Sequence, residues 1–354
     1  MAKIEGNTTD TLVGAPTGQK KLGNWQLWLG LLVSLGALYL AFREINFSLL
    51  WQAFSQVGLG WLGLAFLVSV LTLVAKAARW RVLFTQGMPP MRRSFAIQMI
   101  SIFLNNIMPA RLGDLIRAYL MGEENSDSKV YVLGTIVVEK VFDLFFLILS
   151  VVLLLTQMAL PDWVSKPSEM TAIVLLVMIP MFFFLSWKSA WVLKVLNRFS
   201  FLIPSPWRAW VLRQAQHALA SLDIVRQPKL LIQFLSWSFL IWVMGFFSNL
   251  LVFWAMGLKL DVWAAIFLLV VLQVGVAVPS SPGRIGVFHY LTVLSLSVFA
   301  VQKETALGAG VILHLVVFIP IAVFGAWYLW QEKIPWTKLS QTANRLRNMD
   351  GKKA

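Results

Sequence analysis

The sequence contains no cysteine. Disulfides, iron–sulfur clusters and cysteine-ligated zinc are therefore excluded. Histidine is nearly absent: His217, His289 and His314 lie far apart, and none falls in a His-Glu-x-x-His spacing. Neither a metal nor a cofactor is expected. Charge is scarce too, at 13% of residues, where soluble domains carry roughly 25%. Acids are the scarcer sign, 16 Asp and Glu against 30 Lys and Arg, for a formal net charge of +14. No basic soluble domain or recognition motif accompanies that excess, so nucleic acid is not an expected partner. The excess reads instead as cytoplasmic loops of a membrane protein. Hydrophobic residues are abundant, at 58% of the chain, with a mean hydropathy of +0.74. The class is all-α: a polytopic, multi-pass protein of the cell membrane.

Charge along the chain sets an expected topology. Residues 1–23 are polar and read as a disordered cytoplasmic leader, since no small-residue cleavage site follows the first apolar run. Residues 24–330 read as one integral membrane domain, with apolar runs at 25–42, 58–75, 129–160, 170–187, 230–256 and 305–330. Lys76, Arg79, Arg81, Arg92 and Arg93 form a run with no acid among them. Residues 188–229 and the tail 331–354 are also basic. These three stretches mark the cytoplasmic side. Both termini then lie inside, with residues 43–56 and 161–169 outside. Within 188–229, residues 207–225 have helical apolar spacing and are expected to form an interfacial amphipathic helix.

Two apolar segments do not fit this scheme as simple spans. The first breaks at Asn105-Asn106-Ile107-Met108-Pro109-Ala110-Arg111-Leu112-Gly113-Asp114, and the second at Pro279-Ser280-Ser281-Pro282-Gly283-Arg284-Ile285-Gly286. Each must leave one side of the membrane and return to it. Each arm is too short for the ~20 apolar residues of a full span. Irregular backbone at membrane depth survives only against protein or a water-filled cavity. The preferred reading is two broken or re-entrant helical hairpins entering from opposite faces; two pairs of short full spans fit the charges equally well. Pro and Gly are four apart in both breaks, and the flanking units, about 58–160 and 230–330, are oppositely oriented. That is an inverted repeat, and paired breaks in two halves point to a transporter's binding site.

The breaks and their neighbours carry the candidate substrate-binding residues. Arg111, Asp114 and Arg117 are spaced by three and would share a helix face. Arginine forks match phosphate, so Asn105, Asn106, Pro109, Arg111, Gly113, Asp114 and Arg117 form either an anionic-headgroup site or a charged turn. Glu139, Lys140 and Asp143 sit inside an apolar run, where ionisable residues are costly and usually functional. They read either as substrate or proton contacts or as an ion-pair network with Arg111 or Arg117. At the second break, Ser280, Ser281, Pro282, Gly283, Arg284 and His289 are the candidates, with His289 and His314 also readable as packing residues. Gln98 and Gln273, in the first arms of the two hairpins, can join helices or line a path.

Three motifs in order resemble the lysylphosphatidylglycerol synthase transmembrane-region family: Asn105 with Pro109, Arg111, Gly113-Asp114 and Arg117; Glu139-Lys140-Val141-Phe142-Asp143; and Pro279 through Val287. The likeness covers about residues 25–330. It implies a flippase-like, lipid-translocating membrane domain, sometimes joined to a soluble aminoacyl-transferring domain for which residues 331–354 are expected to be too few. The chain departs from the family's pattern at Lys140, Arg284 and His289, gaining positive charge in the second hairpin, which suits an acidic headgroup. The expected function is translocation of an anionic phospholipid or isoprenoid-linked lipid between leaflets, with the membrane lipid as partner and a homo-oligomer left open. No catalytic constellation is present, so an enzyme is not expected. A membrane enzyme acting on a lipid headgroup and a secondary transporter of a small anion are the alternatives.

Overall fold

The computed structural model describes residues 24–108, 112–124, 129–275 and 280–332. Pro109, Arg111 and Pro279 lie outside the described residues, as do the leader and most of the tail. Among the described residues every regular element is helical. The helices are α1 (Asn24–Phe42), α2 (Phe47–Ser55), α3 (Leu59–Arg81), α4 (Met91–Ile107), α5 (Gly113–Glu124), α6 (Lys129–Leu155) and α7 (Asp162–Trp187). They continue as α8 (Ser189–Arg198), α9 (Ser205–Ala220), α10 (Pro228–Ala255), α11 (Val262–Gly275), α12 (Val287–Ser297) and α13 (Lys303–Gln331). By length and composition α3, α7, α10 and α13 can each cross a bilayer, and the α1–α2 pair, bent by 85°, adds a fifth candidate span. Helix α6 is long enough as well, at 27 residues, but holds Glu139, Lys140 and Asp143.

Helices α3 and α10 form the centre. The Gly58 N–H donates to the Ala255 carbonyl at 2.7 Å, and at the other end Arg79 reaches Ser238 at 3.5 Å. The two helices are thus antiparallel. Each presents a stripe of small or polar residues on an otherwise apolar helix: Ser69, Thr72, Lys76 and Arg79 on α3, and Ser238, Gly245, Ser248 and Asn249 on α10. Small residues allow close approach, and polar ones join helices where lipid offers no partner.

Around this pair the chain repeats itself upside down. Helices α3 to α6 correspond to α10 to α13. Each packing of α3 on α4, α4 on α5 and α5 on α6 has its counterpart in α10 on α11, α11 on α12 and α12 on α13. The halves also exchange equivalent contacts, α4 against α13 and α11 against α6. Because α3 and α10 run antiparallel, the repeat is inverted. The short helix before each half follows suit: α2 leans on the start of α13, and α9 on α6. Helix α2, in a stretch the sequence reads as a loop, starts at Asn46, whose side chain accepts the Ser48 and Leu49 N–H groups. Glu304 takes the Asn46 N–H at 3.2 Å, fixing α2 to α13.

Both broken segments turn back inside the bundle. Helices α4 and α5 have 17 and 12 residues, α11 and α12 have 14 and 11. At 1.5 Å per residue the arms reach about 17 to 25 Å, short of a ~30 Å hydrocarbon core. The second turn meets α13 at His314, near that helix's middle. Helix α4 runs along the other end of α13, with Phe95 against Phe324 and Tyr328. The 3-10 turn Pro282–Arg284 also packs on α4. The two hairpins therefore enter from opposite ends and meet near mid-depth, as re-entrant hairpins do.

Candidate functional site

The first hairpin is held shut by polar residues of α4, Gln98, Ser101 and Asn105, spaced by three or four. Helix α5 lies directly on it. A Cβ at Gly113 would sit 2.0 Å from the Ser101 carbonyl oxygen, so only glycine allows this approach. Asp114 accepts from the Asn105 amide at 3.0 Å and from the Ser101 hydroxyl at 3.4 Å. The Asn105 Oδ1 is buried and finds no donor among the described residues. Asn106 bonds back to the Ile102 carbonyl of its own helix.

Arg117 does not pair with Asp114. It donates to Glu139 at 2.8 Å and to Gln98 at 3.2 Å, and its guanidinium stacks 3.8 Å from the Trp80 ring. This corrects the expected one-face cluster of Arg111, Asp114 and Arg117: of the described pair, Asp114 bonds to Asn105 and Ser101 on α4, while Arg117 bridges Gln98 on α4 and Glu139 on α6. Glu139 also accepts from Arg79 at 2.7 Å, and Arg79 reaches Asp143 at 2.5 Å. Arg79, Arg117 and Glu139 are each buried, at 1%, 3% and 4% exposure. Two guanidinium groups and two carboxylates form one closed, neutral network across α3, α5 and α6. Lys140, the next residue round α6 from Glu139, is exposed.

Arg79 is the residue that sequence reasoning misplaced. It and Lys76 read as part of a basic cytoplasmic run, but α3 continues to Arg81 and carries both inside. The signal was present in the stripe Ser69, Thr72, Lys76, Arg79, which has helical period and one face.

The second break is tied to its neighbours by backbone. The Ser281 N–H donates to the Ser34 hydroxyl at 2.7 Å and the Ser281 hydroxyl to the Ile285 carbonyl at 3.1 Å. Ser280 lies against Gly30 of α1. Pro282 opens the 3-10 turn, and Gly283, Arg284 and Gly286 all have positive φ, at 71°, 57° and 92°. A Cβ at Gly286 would lie 2.2 Å from the Ser34 carbonyl oxygen. His314 donates to the Gly283 carbonyl at 2.9 Å. His289 is buried, accepts the Gly286 N–H at 3.4 Å, and meets His314 edge to face at 5.1 Å. These histidines hold the turn.

Between the halves lies a cavity of about 200 Å³. Its polar lining is Ser69, Thr72, Lys76, Asp143, Ser248, Asn249 and Gln273; Leu272, Phe288 and Val317 are among the apolar residues. Gln273 and Val317 are exposed, so the cavity opens sideways between helices. Asn249 donates to the Ala265 carbonyl at 3.0 Å. The Ser248 hydroxyl is buried and finds no hydrogen-bond partner among the described residues. Lys76 forms no hydrogen bond or ion pair among the described residues. Of the sequence candidates among the described residues, Asp143 and Gln273 line the cavity. No group of three or more metal-ligating side chains occurs among the described residues.

The family model described as the lysylphosphatidylglycerol synthase TM region matches residues 27–325. The chain belongs to that family. A UPF0104 membrane protein of Methanocaldococcus jannaschii is 24% identical over 230 residues, covering 64% of this chain and 92% of the relative. Another UPF0104 membrane protein, from Methanothermobacter thermautotrophicus, is 23% identical over 251 residues, 66% of this chain and 73% of the relative. No solved structure matches the chain significantly. Membership of the lysylphosphatidylglycerol synthase TM region family agrees with the helical, multi-pass architecture and makes the chain an integral membrane protein.

Proposed function

We propose that this chain is a lipid translocator that moves an anionic phospholipid or isoprenoid-linked lipid between leaflets and leaves it chemically unchanged. The observation that carries the reading is Lys76 in the central cavity. Arg79 and Arg117 are balanced by Glu139 and Asp143, so the Lys76 ammonium adds one positive charge that no described carboxylate pairs within ion-pair distance. A charge held at membrane depth calls for a counter-charge, and an anionic headgroup supplies one. Ser248, Asn249 and Gln273 offer further polar groups, while the apolar lining and the side opening suit acyl chains that stay in lipid. The family's name, which refers to a lipid synthase, and the inverted hairpins, which bring one site within reach of each face in turn, support the same reading. On this reading the chain is not an enzyme, and the basic face with both termini is cytoplasmic.

The test is leaflet exchange in proteoliposomes across a panel of headgroups, with mass spectrometry of the recovered lipids. Lys76→Gln should slow anionic lipids by about tenfold or more, the worth of a charge-assisted hydrogen bond, and zwitterionic ones far less. Equal slowing of both would remove Lys76 from headgroup recognition. Recovery of a modified lipid would favour a membrane enzyme. Uptake of a soluble anion without lipid exchange would favour a small-anion transporter.

A further inference from the structure

Away from the central cavity, α8 and α9 pack together as a hairpin that follows α7. Helix α7 ends at Trp187 and α8 begins at Ser189, turned at Lys188. Arg226 pins that elbow, donating to the Ser186 carbonyl and, at 2.9 Å, to the Ser189 hydroxyl. Arg208 donates to the Ser200 carbonyl at 2.9 Å, fixing the linker to α9. The hairpin is therefore a set shape, and it packs on α6 and α7.

Its surface pairs two features. Large aromatic side chains stand out of it, with Trp191 55%, Phe201 67%, Trp207 60% and Trp210 55% exposed. Lys188, Lys194, Arg198, Arg208 and Arg213 accompany them, and no acid occurs from residue 188 to residue 222. A surface that is both aromatic and basic fits the headgroup layer of an anionic leaflet. Between the two helices lies a cleft of about 430 Å³ lined by Ala190, Leu193, Lys194, Asn197, Leu212 and Gln216. It offers one ammonium, two amides and an apolar floor.

We propose that the α8–α9 cleft is a second lipid site, which holds the phosphate of an anionic phospholipid drawn from the leaflet on which the hairpin lies. Lys194 supplies the charge, and the Asn197 and Gln216 amides donate to phosphate oxygens. Leu193 and Leu212 cover the upper acyl chain, and the aromatic row keeps the hairpin at headgroup depth. The lipid stays in its leaflet, so the site is separate from translocation and does not rest on that reading.

The experiment uses the full chain, purified in detergent and titrated with phosphatidylglycerol or phosphatidylcholine, with bound lipids counted by native mass spectrometry. All arms are run in a Lys76→Gln background, so that the central cavity does not account for the result. Phosphatidylglycerol should bind more tightly than phosphatidylcholine. That preference should weaken about fivefold for Lys194→Gln. Lys194→Arg should keep it. Hydrogen exchange of residues 189–220 should slow with phosphatidylglycerol and not with phosphatidylcholine. The cleft site is overturned if both lipids bind alike, if Lys194→Gln with Asn197→Ala and Gln216→Ala retains full binding, or if exchange slows elsewhere only. These side chains are exposed, so the substitutions leave the fold intact.

Discussion

Glu139 is the side chain on which the buried network turns, and replacing it should be the most damaging change there. It sits 2.7 Å from Arg79 and 2.8 Å from Arg117, at 4% exposure. Glu139→Gln strips Arg117 of its carboxylate and leaves it the Gln98 oxygen at 3.2 Å and the Trp80 face. Arg79 keeps Asp143 at 2.5 Å. One guanidinium is stranded and the other is not. Breaking a buried pair costs about 3–5 kcal/mol, and the lower half of that range applies because Gln still accepts one hydrogen bond. Arg117→Met should cost less, about 2 kcal/mol, because Glu139 keeps Arg79 and the methionine can still cover the Trp80 ring. The double variant should then be about 2 kcal/mol better than the sum of the singles. Reversible unfolding in mixed micelles of mild detergent and dodecyl sulfate measures all four proteins. Additivity within about 0.5 kcal/mol would refute the idea that Glu139 and Arg117 stabilise one another.

Other expectations follow from the breaks and the topology. Gly113→Val should abolish folded protein, since its Cβ would meet the Ser101 carbonyl at 2.0 Å; normal size-exclusion behaviour of this variant would contradict the close packing of α4 on α5. Gly286→Ala combines a φ of +92° with a 2.2 Å approach to Ser34, so it should lower thermal stability markedly, and an unchanged melting temperature would count against the α1 contact. His314→Gln should retain more stability than His314→Phe, because only the amide can still donate to the Gly283 carbonyl; the same assay decides. Single cysteines are clean reporters in a chain that has none of its own. Cysteines at positions 92 and 208 should label from one side of the membrane and one at position 51 from the other; labelling of 92 and 208 from opposite sides would break the inverted arrangement.

The sequence by itself determined the class, the two breaks and their opposite orientation. These follow from local properties: the length of apolar runs, the side on which basic residues collect, and the helix-breaking character of Pro and Gly. It also showed that Glu139 and Asp143 share a helix face, because that depends only on a spacing of four. It offered ion pairing as one reading of them. Only the tertiary structure decided with what they pair. Arg79 lies 60 residues from Glu139 in the chain, and a count of positive charge per loop cannot tell a cation at a helix end from one turned into the bundle. The same limit hid Lys76, whose meaning comes from α10 and α11 closing a cavity in front of it. It also hid that Asp114 and Arg117, neighbours by spacing, take different partners, Asn105 and Ser101 for the first and Glu139 and Gln98 for the second. Spacing sets which way a side chain points along its own helix, and packing between distant segments sets what it meets there.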